Sequence, residues 1–292
     1  MGVFVSGLTM GCIYALIAIG FVLIYKCSSV MNIAHGYIML LMAAVGWTAA
    51  AEWGLPLWAV IACILVAGTI VGTLIEEVTI RPLIGQPLLS LIMVTIALGL
   101  VVEGVTILKW SSGVYYFPPL IGSGSITLFG TLAIPRTSIF VIVVGGLTLL
   151  AISMFIQKTK QGLAMRGAAE DHQACRSLGI RIPFIFRLTW IIGCMAAGIA
   201  GLSLGFIGGV SGGIISLGLL AIPVAILGGL ESLKGAVIAG LAVGFLEALA
   251  GKFLDPLLPA GGVAGVFPFI IMLIVLMVKP YGLFGLVRVE RV

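Results

Sequence analysis

Charged side chains are scarce in this sequence. Only 9% of its 292 residues are Asp, Glu, Lys or Arg, while 61% are hydrophobic. An ordinary soluble domain carries roughly a quarter charged residues, so this composition excludes a soluble globular protein. The stretch 188–230 has no charged side chain at all, and a helix needs about twenty apolar residues to cross a bilayer. We therefore interpret the chain as an integral membrane protein.

Sequence motifs of enzymes and metal sites are missing as well. There is no Walker A sequence, no nucleophile elbow and no His-Glu-x-x-His pair, and the chain has only two histidines. The five cysteines form no Cys-x-x-Cys pair and lack metal-ligand spacing. We therefore expect no enzymatic activity, no metal and no cofactor in this chain. The net charge of +5 is interpreted as charge flanking membrane helices, and no nucleic-acid partner is expected.

The apolar segments are numerous enough for a polytopic helical bundle. Runs rich in Gly and Ala without strict alternation favour helices over a transmembrane barrel. The prediction is an all-α membrane domain covering 1–292, with about eight to nine crossings, some of them discontinuous. The candidate crossings are 2–25, 28–51, 55–75, 88–108, 137–157, 188–209, 213–230, 235–250 and 262–278. Segments 28–51 and 213–230 are the weakest of these, because polar residues or a proline interrupt them.

Basic residues predict the orientation in the membrane. If the N-terminus lies outside and the C-terminus in the cytoplasm, twelve of the fifteen Lys and Arg residues face the cytoplasm. Lys109, Arg136 and Lys252 alone remain outside. This asymmetry is the one that the positive-inside rule predicts.

Two loops differ sharply in composition. The predicted outer loop, 109–136, has three prolines, four glycines and four serines, which favour turns. The predicted cytoplasmic loop, 158–187, has eight charged residues. Within it, Gly162–Leu178 is rich in helix-forming residues, and Gly179 stands where a helix could end in a left-handed cap. We expect a short surface helix there.

Asn32 and His35 are polar residues at membrane depth. They are three residues apart, so on a helix they would share one face and could line a passage. Gly36 could loosen such a helix and expose backbone groups to a substrate. The alternative, given equal weight, is that both side chains form hydrogen bonds with neighbouring helices and never meet a ligand.

Three further positions interrupt the apolar segments. Glu103 and Glu247 lie near the predicted outer ends of their segments. There, water or the nearby Lys109 and Lys252 could relieve their charge, which favours a structural role. Pro223 lacks an amide hydrogen, so it predicts a kink or a broken helix.

Small residues recur at four-residue spacing, which lets membrane helices approach closely. The pairs are Gly7 and Gly11, Gly193 and Ala197, Ala197 and Gly201, Ala236 and Gly240, and Gly240 and Gly244. General packing in the bundle is favoured over dimerisation as their role. The spacing identifies no function by itself.

Several short motifs follow one another along nearly the whole chain. They are Gly7 to Gly20, Asn32-Ile33-Ala34-His35-Gly36, Glu77 with Arg81-Pro82-Leu83, Gly162 to Ile180, Ile226 to Ala236, and Lys279-Pro280-Tyr281-Gly282-Leu283-Phe284-Gly285. Each motif is weak alone, but their joint order and spacing are specific. The sequence resembles the permease subunits of branched-chain amino acid type ABC importers.

This resemblance implies a bacterial importer in the inner (plasma) membrane. Its partners would be a second permease subunit, either related or a second copy, two cytoplasmic ABC ATPase subunits and an extracytoplasmic solute-binding protein. ATP and Mg would be bound by the ATPase subunits. The residues implied for ATPase coupling are Arg166, Ala168, Ala169, Glu170, Asp171, Ala174 and Gly179. Gln173 stands where the family's docking motif usually has Glu, which leaves the register of that motif open.

The residues expected along the substrate pathway are Asn32, His35, Gly36, Tyr37 and Pro223. Tyr37 and Leu220 stand where the family commonly has Glu and Lys, so the presumed passage has lost charge. An aromatic or hydrophobic amino acid, an amide or a carboxylate is therefore the expected substrate class.

Two alternatives remain beside this interpretation. One is an ion-coupled secondary transporter or channel, in which Glu103, Glu247 or His35 would carry a proton or ion. The other concerns the loop 158–187 alone, whose helix could rest on anionic lipid instead of docking into an ATPase.

Overall fold

The computed structural model describes residues 2–83, 85–122, 124–128, 132–257, 262–279 and 282–285. These residues form eleven α-helices and one antiparallel β-hairpin. The helices are α1 (Gly2–Ser28), α2 (His35–Ala51), α3 (Leu57–Leu74), α4 (Leu88–Trp110), α5 (Arg136–Lys158), α6 (Lys160–Glu170), α7 (His172–Ser177), α8 (Ile182–Gly208), α9 (Gly213–Gly228), α10 (Leu233–Phe253) and α11 (Val263–Val278). The strands are β1 (Ser125–Leu128) and β2 (Leu132–Pro135). The all-α bundle predicted from the sequence is confirmed.

All nine predicted crossings contain an apolar helix. Six of the helices are long and apolar enough to span a bilayer, namely α1, α3 with its extension to Leu83, α4, α5, α8 and α10. The other three, α2, α9 and α11, are shorter. The protein is therefore a multi-pass membrane protein, as its composition indicates.

The two weakest predicted crossings have different outcomes. Segment 28–51 is interrupted, since α1 ends at Ser28 and α2 begins only at His35. Segment 213–230 is not, because α9 continues through Pro223 to Gly228, so the predicted broken helix is wrong. A proline in a membrane helix is tolerated where packed neighbours and local adjustments compensate for the missing hydrogen bond, and Pro223 is buried.

Helix α1 lies at the centre of the bundle and packs most extensively against α10 and α8. Glycines allow this approach. A Cβ atom added to Gly11 would lie 2.9 Å from Cα of Leu241, and one added to Gly240 would lie 2.5 Å from the amide nitrogen of Ala15. The four-residue spacing of small residues therefore serves packing within the bundle at this seam.

The predicted outer loop, 109–136, contains more order than its composition indicates. β1 and β2 pair in antiparallel register, with Ile126 opposite Ile134. Tyr115 also pairs with Val210 across the chain, and its amide donates a hydrogen bond to the Val210 carbonyl at 3.0 Å. This loop therefore covers one end of the bundle, which we call the hairpin side.

The predicted helix over Gly162–Leu178 is wrong as a single element, because α6 and α7 are separate helices. Asp171 between them is extended, with φ −152° and ψ 110°, and its Oδ1 accepts hydrogen bonds from the amides of Gln173 and Ala174 at 2.7 and 3.0 Å. An Asp at this position stabilises a new helix start more than a continued helix. The left-handed conformation predicted at Gly179 is confirmed by its φ of +81°.

The C-terminal motif packs against the turn between α9 and α10. The Leu283 amide donates a hydrogen bond to the Leu227 carbonyl at 2.8 Å. Gly229, with φ +98°, has no room for a Cβ atom because the Gly285 amide nitrogen lies within 2.6 Å of that position. Two motifs that are about fifty residues apart in the sequence therefore form one junction.

Candidate functional site

The interruption between α1 and α2 buries two polar side chains. Asn32 is 1% exposed and His35 is 0% exposed. They do not share a helical face as predicted, because Asn32 precedes α2 and His35 is its first residue. The His35 amide instead donates a hydrogen bond to the Asn32 carbonyl at 3.2 Å. The break in the helix lies before His35 and not at Gly36.

The imidazole of His35 lies between α1 and the break. Its ring centroid is 4.7 Å from that of Phe21, and a Cβ atom added to Gly20 would lie 2.7 Å from Nε2. Both imidazole nitrogens of His35 and both amide atoms of Asn32 lack a hydrogen-bond partner among the described residues. The expectation that they form hydrogen bonds with neighbouring helices is therefore wrong for these side chains. Buried polar atoms without partners are rare and mark a place that water or a ligand could serve.

Gly36 allows α2 to approach α9 closely. A Cβ atom there would lie 2.8 Å from the Ile215 carbonyl oxygen. Gly36 is inside α2, so its predicted role in loosening the helix is wrong. In a membrane bundle a small residue at such a contact stabilises helix packing.

Tyr37 on α2 packs against α4 at Gly99. A Cβ atom added to Gly99 would lie only 2.6 Å from Cδ2 of the Tyr37 ring. One turn earlier on α4, the buried Thr95 hydroxyl lies 3.3 Å from the Met31 carbonyl in the break before α2. The middle of α4 therefore holds both the break and the Tyr37 ring in place.

Two cavities open on either side of this contact. The hairpin-side cavity has a volume of about 170 Å³ and is lined by Leu40, Ala44, Glu103, Thr106, Ile107, Trp110, Ser111, Ser112, Gly113, Tyr115, Val210, Ser211 and Gly212. The α7-side cavity has a volume of about 320 Å³ and is lined by Ser28, Ser29, Val30, Ile80, Gly85, Gln86, Leu88, Leu91, His172 and Phe186. Both cavities have walls from α4 and from α2 or the segment before it.

The contact between Tyr37 and Gly99 separates the two cavities along α4. The α7-side cavity reaches Leu91 on α4, and the hairpin-side cavity begins at Glu103. Twelve residues of helix rise about 18 Å, and Gly99 lies within this interval. The two cavities therefore follow one another along α2 and α4, and we call this line, interrupted at the Tyr37–Gly99 contact, the route along α2 and α4.

The predicted pathway residues thus have different positions relative to this route. None of the five lines either cavity. Asn32, His35, Gly36 and Tyr37 belong to the closed segment between the cavities, whereas Pro223 lies in the buried part of α9. The sequence predicted residues of the closed segment. It did not predict the cavities, because their walls come from residues far apart in the chain.

Glu103 and Glu247 have different surroundings. Glu103 lines the hairpin-side cavity, while Glu247 on α10 faces the Tyr14 hydroxyl of α1. The predicted partner Lys109 instead places its ammonium group over the Trp110 ring at 4.6 Å, and Lys252 lies over Phe253 at 5.5 Å. Neither lysine forms an ion pair with these carboxylates among the described residues.

The residues predicted for ATPase coupling lie on α6, α7 and the turn after them. Ala168 is 2% exposed and packs onto the body of the protein. The exposed members of the set are Arg166, Glu170, Asp171, Ala174 and Gly179, and Ala169 is half-buried. Hydrogen bonds from the Ala174 and Gln173 amides lower the pKa of the Asp171 carboxyl below its usual value, so this side chain stays charged at neutral pH.

An ionic cluster that the sequence did not reveal lies at the end of α3. The chain continues from α3 into a π-helical turn, Ile75–Ile80. The fully buried Glu76 carboxylate lies 3.5 Å from Nε of Arg187 and 3.7 Å from Nε of Arg81. Arg187 also forms an ion pair with Glu77. Because Arg187 is on α8, about a hundred residues away, no local pattern could have predicted the pairing.

Comparison with known proteins identifies the family. Residues 3–276 match the family described as branched-chain amino acid transport system / permease component. The chain is 32% identical to the high-affinity branched-chain amino acid transport system permease protein BraD of Pseudomonas aeruginosa, over 99% of this chain and 96% of the relative. It is 31% identical to the permease protein LivH of Salmonella typhimurium, over 98% and 96% of the two chains.

A solved structure supports the fold. The chain matches a structure titled PsaBC from Streptococcus pneumoniae in complex with Fab, with a TM-score of 0.53 and 15% identity, over 94% of this chain and 91% of that chain. The likeness concerns the arrangement of helices alone. Taken with the match of the family to nearly the whole sequence, the motifs identify the chain as a member of the branched-chain amino acid ABC transporter permease family.

Proposed function

We propose that this chain is one permease subunit of an ATP-driven importer, and that it moves a branched-chain amino acid or a similar small organic solute inward across the plasma membrane. The observation that carries the proposal is the route along α2 and α4, in which two cavities are separated by the contact of Tyr37 with Gly99. A permease needs such a closed middle segment, because a continuous opening would let ions leak.

The character of the route fits a small, largely apolar solute. The hairpin-side cavity is lined by apolar side chains, by the hydroxyls of Ser111, Ser112 and Ser211, and by the Glu103 carboxylate. A cavity of about 150 Å³ accommodates a benzene molecule, so the 170 Å³ here has room for a comparable group. A carboxylate at the rim can attract the ammonium group of an amino acid.

Transport requires the closed segment to open. The unpartnered polar atoms of Asn32 and His35 lie in that segment: Asn32 is one of the non-helical residues 29–34, and His35 follows them. When Tyr37 moves away from Gly99, these atoms would gain hydrogen bonds with water or solute. The gain would offset part of the cost of opening, because leaving them buried without partners costs about 1–3 kcal/mol for each group.

The coupling to ATP hydrolysis would pass through α6. This helix packs against α1, α5 and α8, and the Met165 carbonyl of α6 lies 3.7 Å from Sγ of Cys27, in the last turn of α1. A displacement of α6 and α7 by separate ATPase subunits would therefore move the end of α1, which leads directly into residues 29–34. ATP and Mg would be bound by those subunits, and a solute-binding protein would deliver the solute on the hairpin side.

The test is reconstitution of the chain with its second permease and candidate ATPase subunits in proteoliposomes. We expect uptake that requires ATP and the binding protein. Replacing the exposed Ala174 by Trp should prevent co-purification of the ATPase subunits and abolish uptake. The matched control is Ala51→Trp. Ala51 is the exposed last residue of α2, and this variant should keep the ATPase subunits bound.

Two results would contradict the proposal. The first is full uptake by the Ala174→Trp variant with its ATPase subunits still bound. The second is uptake by this chain alone, driven by an ion gradient and indifferent to ATP, which would identify a secondary transporter or channel.

A further inference from the structure

A large basic cavity lies where the chain that follows α3, helix α7 with the turn after it, and the start of α8 come together. We call it the arginine cavity. Its volume is about 810 Å³, and it is lined by Arg81, Arg176, Gly179, Ile180, Arg181, Ile182, Pro183, Phe184 and Arg187. Four of these nine residues are arginines, and none is acidic. Such a lining predicts an anionic ligand.

The arginine cavity has an excess of positive charge. Arg81 and Arg187 pair with the carboxylates of Glu76 and Glu77. Arg176 and Arg181 are exposed, and neither forms an ion pair within the part of the chain that the structure describes. Two guanidinium groups therefore remain for a ligand. Guanidinium groups match the geometry of phosphate oxygens through paired hydrogen bonds.

The start of α8 adds to this positive potential. Arg181 is its N-cap residue and provides no side-chain hydrogen bond to the first turn. Pro183 has no amide hydrogen and the Phe184 amide donates to the Arg181 carbonyl, so the contribution of this end is the dipole of a 27-residue helix, which favours an anion. The dipole acts together with the four arginines, since Ile182 and Pro183 of the same turn line the cavity.

The depth of the arginine cavity matches the headgroup region of a bilayer. The apolar span from Leu57 to Leu83 and helix α8 each contain 27 residues, which rise about 40 Å in a helix. The hydrocarbon core is about 30 Å thick, so the ends of both spans reach the lipid headgroups. Arg81 and Arg181 lie at these two ends.

Exposed apolar side chains accompany the arginines at this depth. Val78 and Leu74 precede Arg81 by about one and two turns and are exposed, and Phe184, three residues after Arg181, is exposed as well. A surface for an acidic soluble protein would carry polar residues at these positions, whereas apolar side chains below a basic cluster are typical of a lipid site.

We propose that the arginine cavity binds the phosphate headgroup of an anionic phospholipid, with the acyl chains along Leu74, Val78 and Phe184. The bound lipid would connect the ends of α3 and α8 to α7 through Arg176. It would therefore hold the exposed α6–α7 region in a fixed orientation on the membrane surface. The lining of the arginine cavity shares no residue with the two cavities of the transport route.

The test uses the full chain, purified in detergent with the subunits that co-purify with it and then stripped of lipid. Phosphatidylglycerol or phosphatidylcholine is added, and bound lipid is counted by native mass spectrometry. The double variant Arg176→Gln with Arg181→Gln leaves the ion pairs of Glu76 and Glu77 intact. The matched control is Lys158→Gln with Lys160→Gln, which removes the same charge from exposed residues that do not line the cavity.

We expect the unaltered protein and the lysine variant to bind phosphatidylglycerol in preference to phosphatidylcholine. The affinity of the arginine variant for phosphatidylglycerol should fall at least about tenfold, because each arginine near a charged membrane surface contributes measurably to binding. An unchanged elution volume and Tm would show that the arginine variant is folded. If it is not folded, Arg181→Gln alone tests the same expectation.

Three results would overturn the proposal. Equal binding of both lipids by the unaltered protein would show that headgroup charge does not determine binding. Displacement of the lipid by millimolar inorganic phosphate would identify a site for free anions instead. Normal lipid binding by the arginine variant, with loss of the ATPase subunits, would show that the arginines contact an acidic surface of the partner. Uptake of solute is not the readout, so failure here leaves the proposed transport function standing.

Discussion

Helices α1 and α4 have nearly the same mean hydropathy, 2.3 and 2.4, yet their environments are opposite. In α1, 89% of the most apolar stretch is buried inside the protein, and in α4 only 22% is buried. The difference follows from small residues. Gly7 and Gly11 of α1 bring its backbone against the backbone of α10, while the tight glycine contact of α4, at Gly99, is with the side-chain ring of Tyr37.

This contrast shows what hydropathy leaves open. Apolar side chains take a helix into the membrane, but lipid is as apolar as leucine and provides no hydrophobic force between helices. Close packing through small residues then decides which helix is central and which faces lipid or a partner subunit. A loosely packed helix is also the better moving part, because fewer contacts must be broken when it shifts. The route along α2 and α4 lies at such a helix.

The largest expected effect comes from disrupting the packing of α1. In Gly244→Leu the new side chain would meet the backbone of Met10 and Gly11, so α1 and α10 cannot pack. We expect loss of folded protein, measured as the monodisperse fraction in size-exclusion chromatography. The control is Gly104→Leu on α4, where nothing lies within 4 Å of the added Cβ position, and it should elute normally. Equal losses in both variants would contradict the contrast between the two helices.

A smaller effect is expected from the charges at the end of α3. Glu76→Gln leaves Arg81 without its carboxylate partner and buries an amide, so the free energy of unfolding should fall by about 2 kcal/mol. The matched change Glu77→Gln, at a partly exposed side chain, should cost less than about 1 kcal/mol. Thermal unfolding in detergent, followed by intrinsic fluorescence, compares the two. A larger loss for Glu77→Gln would show that burial does not govern this cluster.

A change at the contact between Gly99 of α4 and Tyr37 should affect transport more than stability. Gly99→Ala forces the Tyr37 ring to move, at a cost of about 1–3 kcal/mol for overpacking. We expect uptake in proteoliposomes to change by about tenfold, with a normal elution profile. Adding Tyr37→Ala should restore the rate towards its original value, since the added methyl group then has space. Uptake equal to that of Gly104→Ala would show that the contact does not lie on the route.

The smallest effect is expected at the junction of α6 and α7. Asp171→Ala removes the hydrogen bonds to the Gln173 and Ala174 amides, so α7 should fray and its amides should exchange faster with deuterium. Asp171→Asn should retain most of the protection, because Asn is also a good N-cap. Since folding lowers the pKa of Asp171, its stabilising contribution is present at neutral pH and is lost as the pH falls through that lowered value. Exchange that is unchanged in Asp171→Ala would contradict the assigned cap.

Local features of the sequence predicted the membrane helices and Gly179 well. A helix needs only apolar composition over about twenty residues, and a left-handed cap needs a glycine in the right place. The separation of α6 from α7 was missed because Asp171 lies in a stretch of good helix formers, where its capping role competes with helix propensity. Of the two outcomes predicted at Pro223, a kink or a broken helix, the broken helix is wrong because α9 is continuous through this buried residue.

The candidate route and the arginine cavity could not be predicted in the same way. Glu103 and Tyr115 meet Val210 only after the loop between α4 and α5 folds onto the bundle. Arg81 and Arg187 meet around Glu76 across two helices. Such groupings depend on which helices are neighbours, and the order of neighbouring helices cannot be deduced from a single sequence.

The contact of Leu283 with Leu227 has a practical consequence for handling this protein. Because residues 282–285 complete the turn that joins α9 to α10, a shortened chain ending before Gly282 would expose the carbonyl of Leu227 and the glycine backbone around it. Purification tags and fluorescent fusions at this end should follow a spacer placed beyond Gly285. A fusion placed at or before Gly285 would disturb this junction, so its signal would not represent the intact protein.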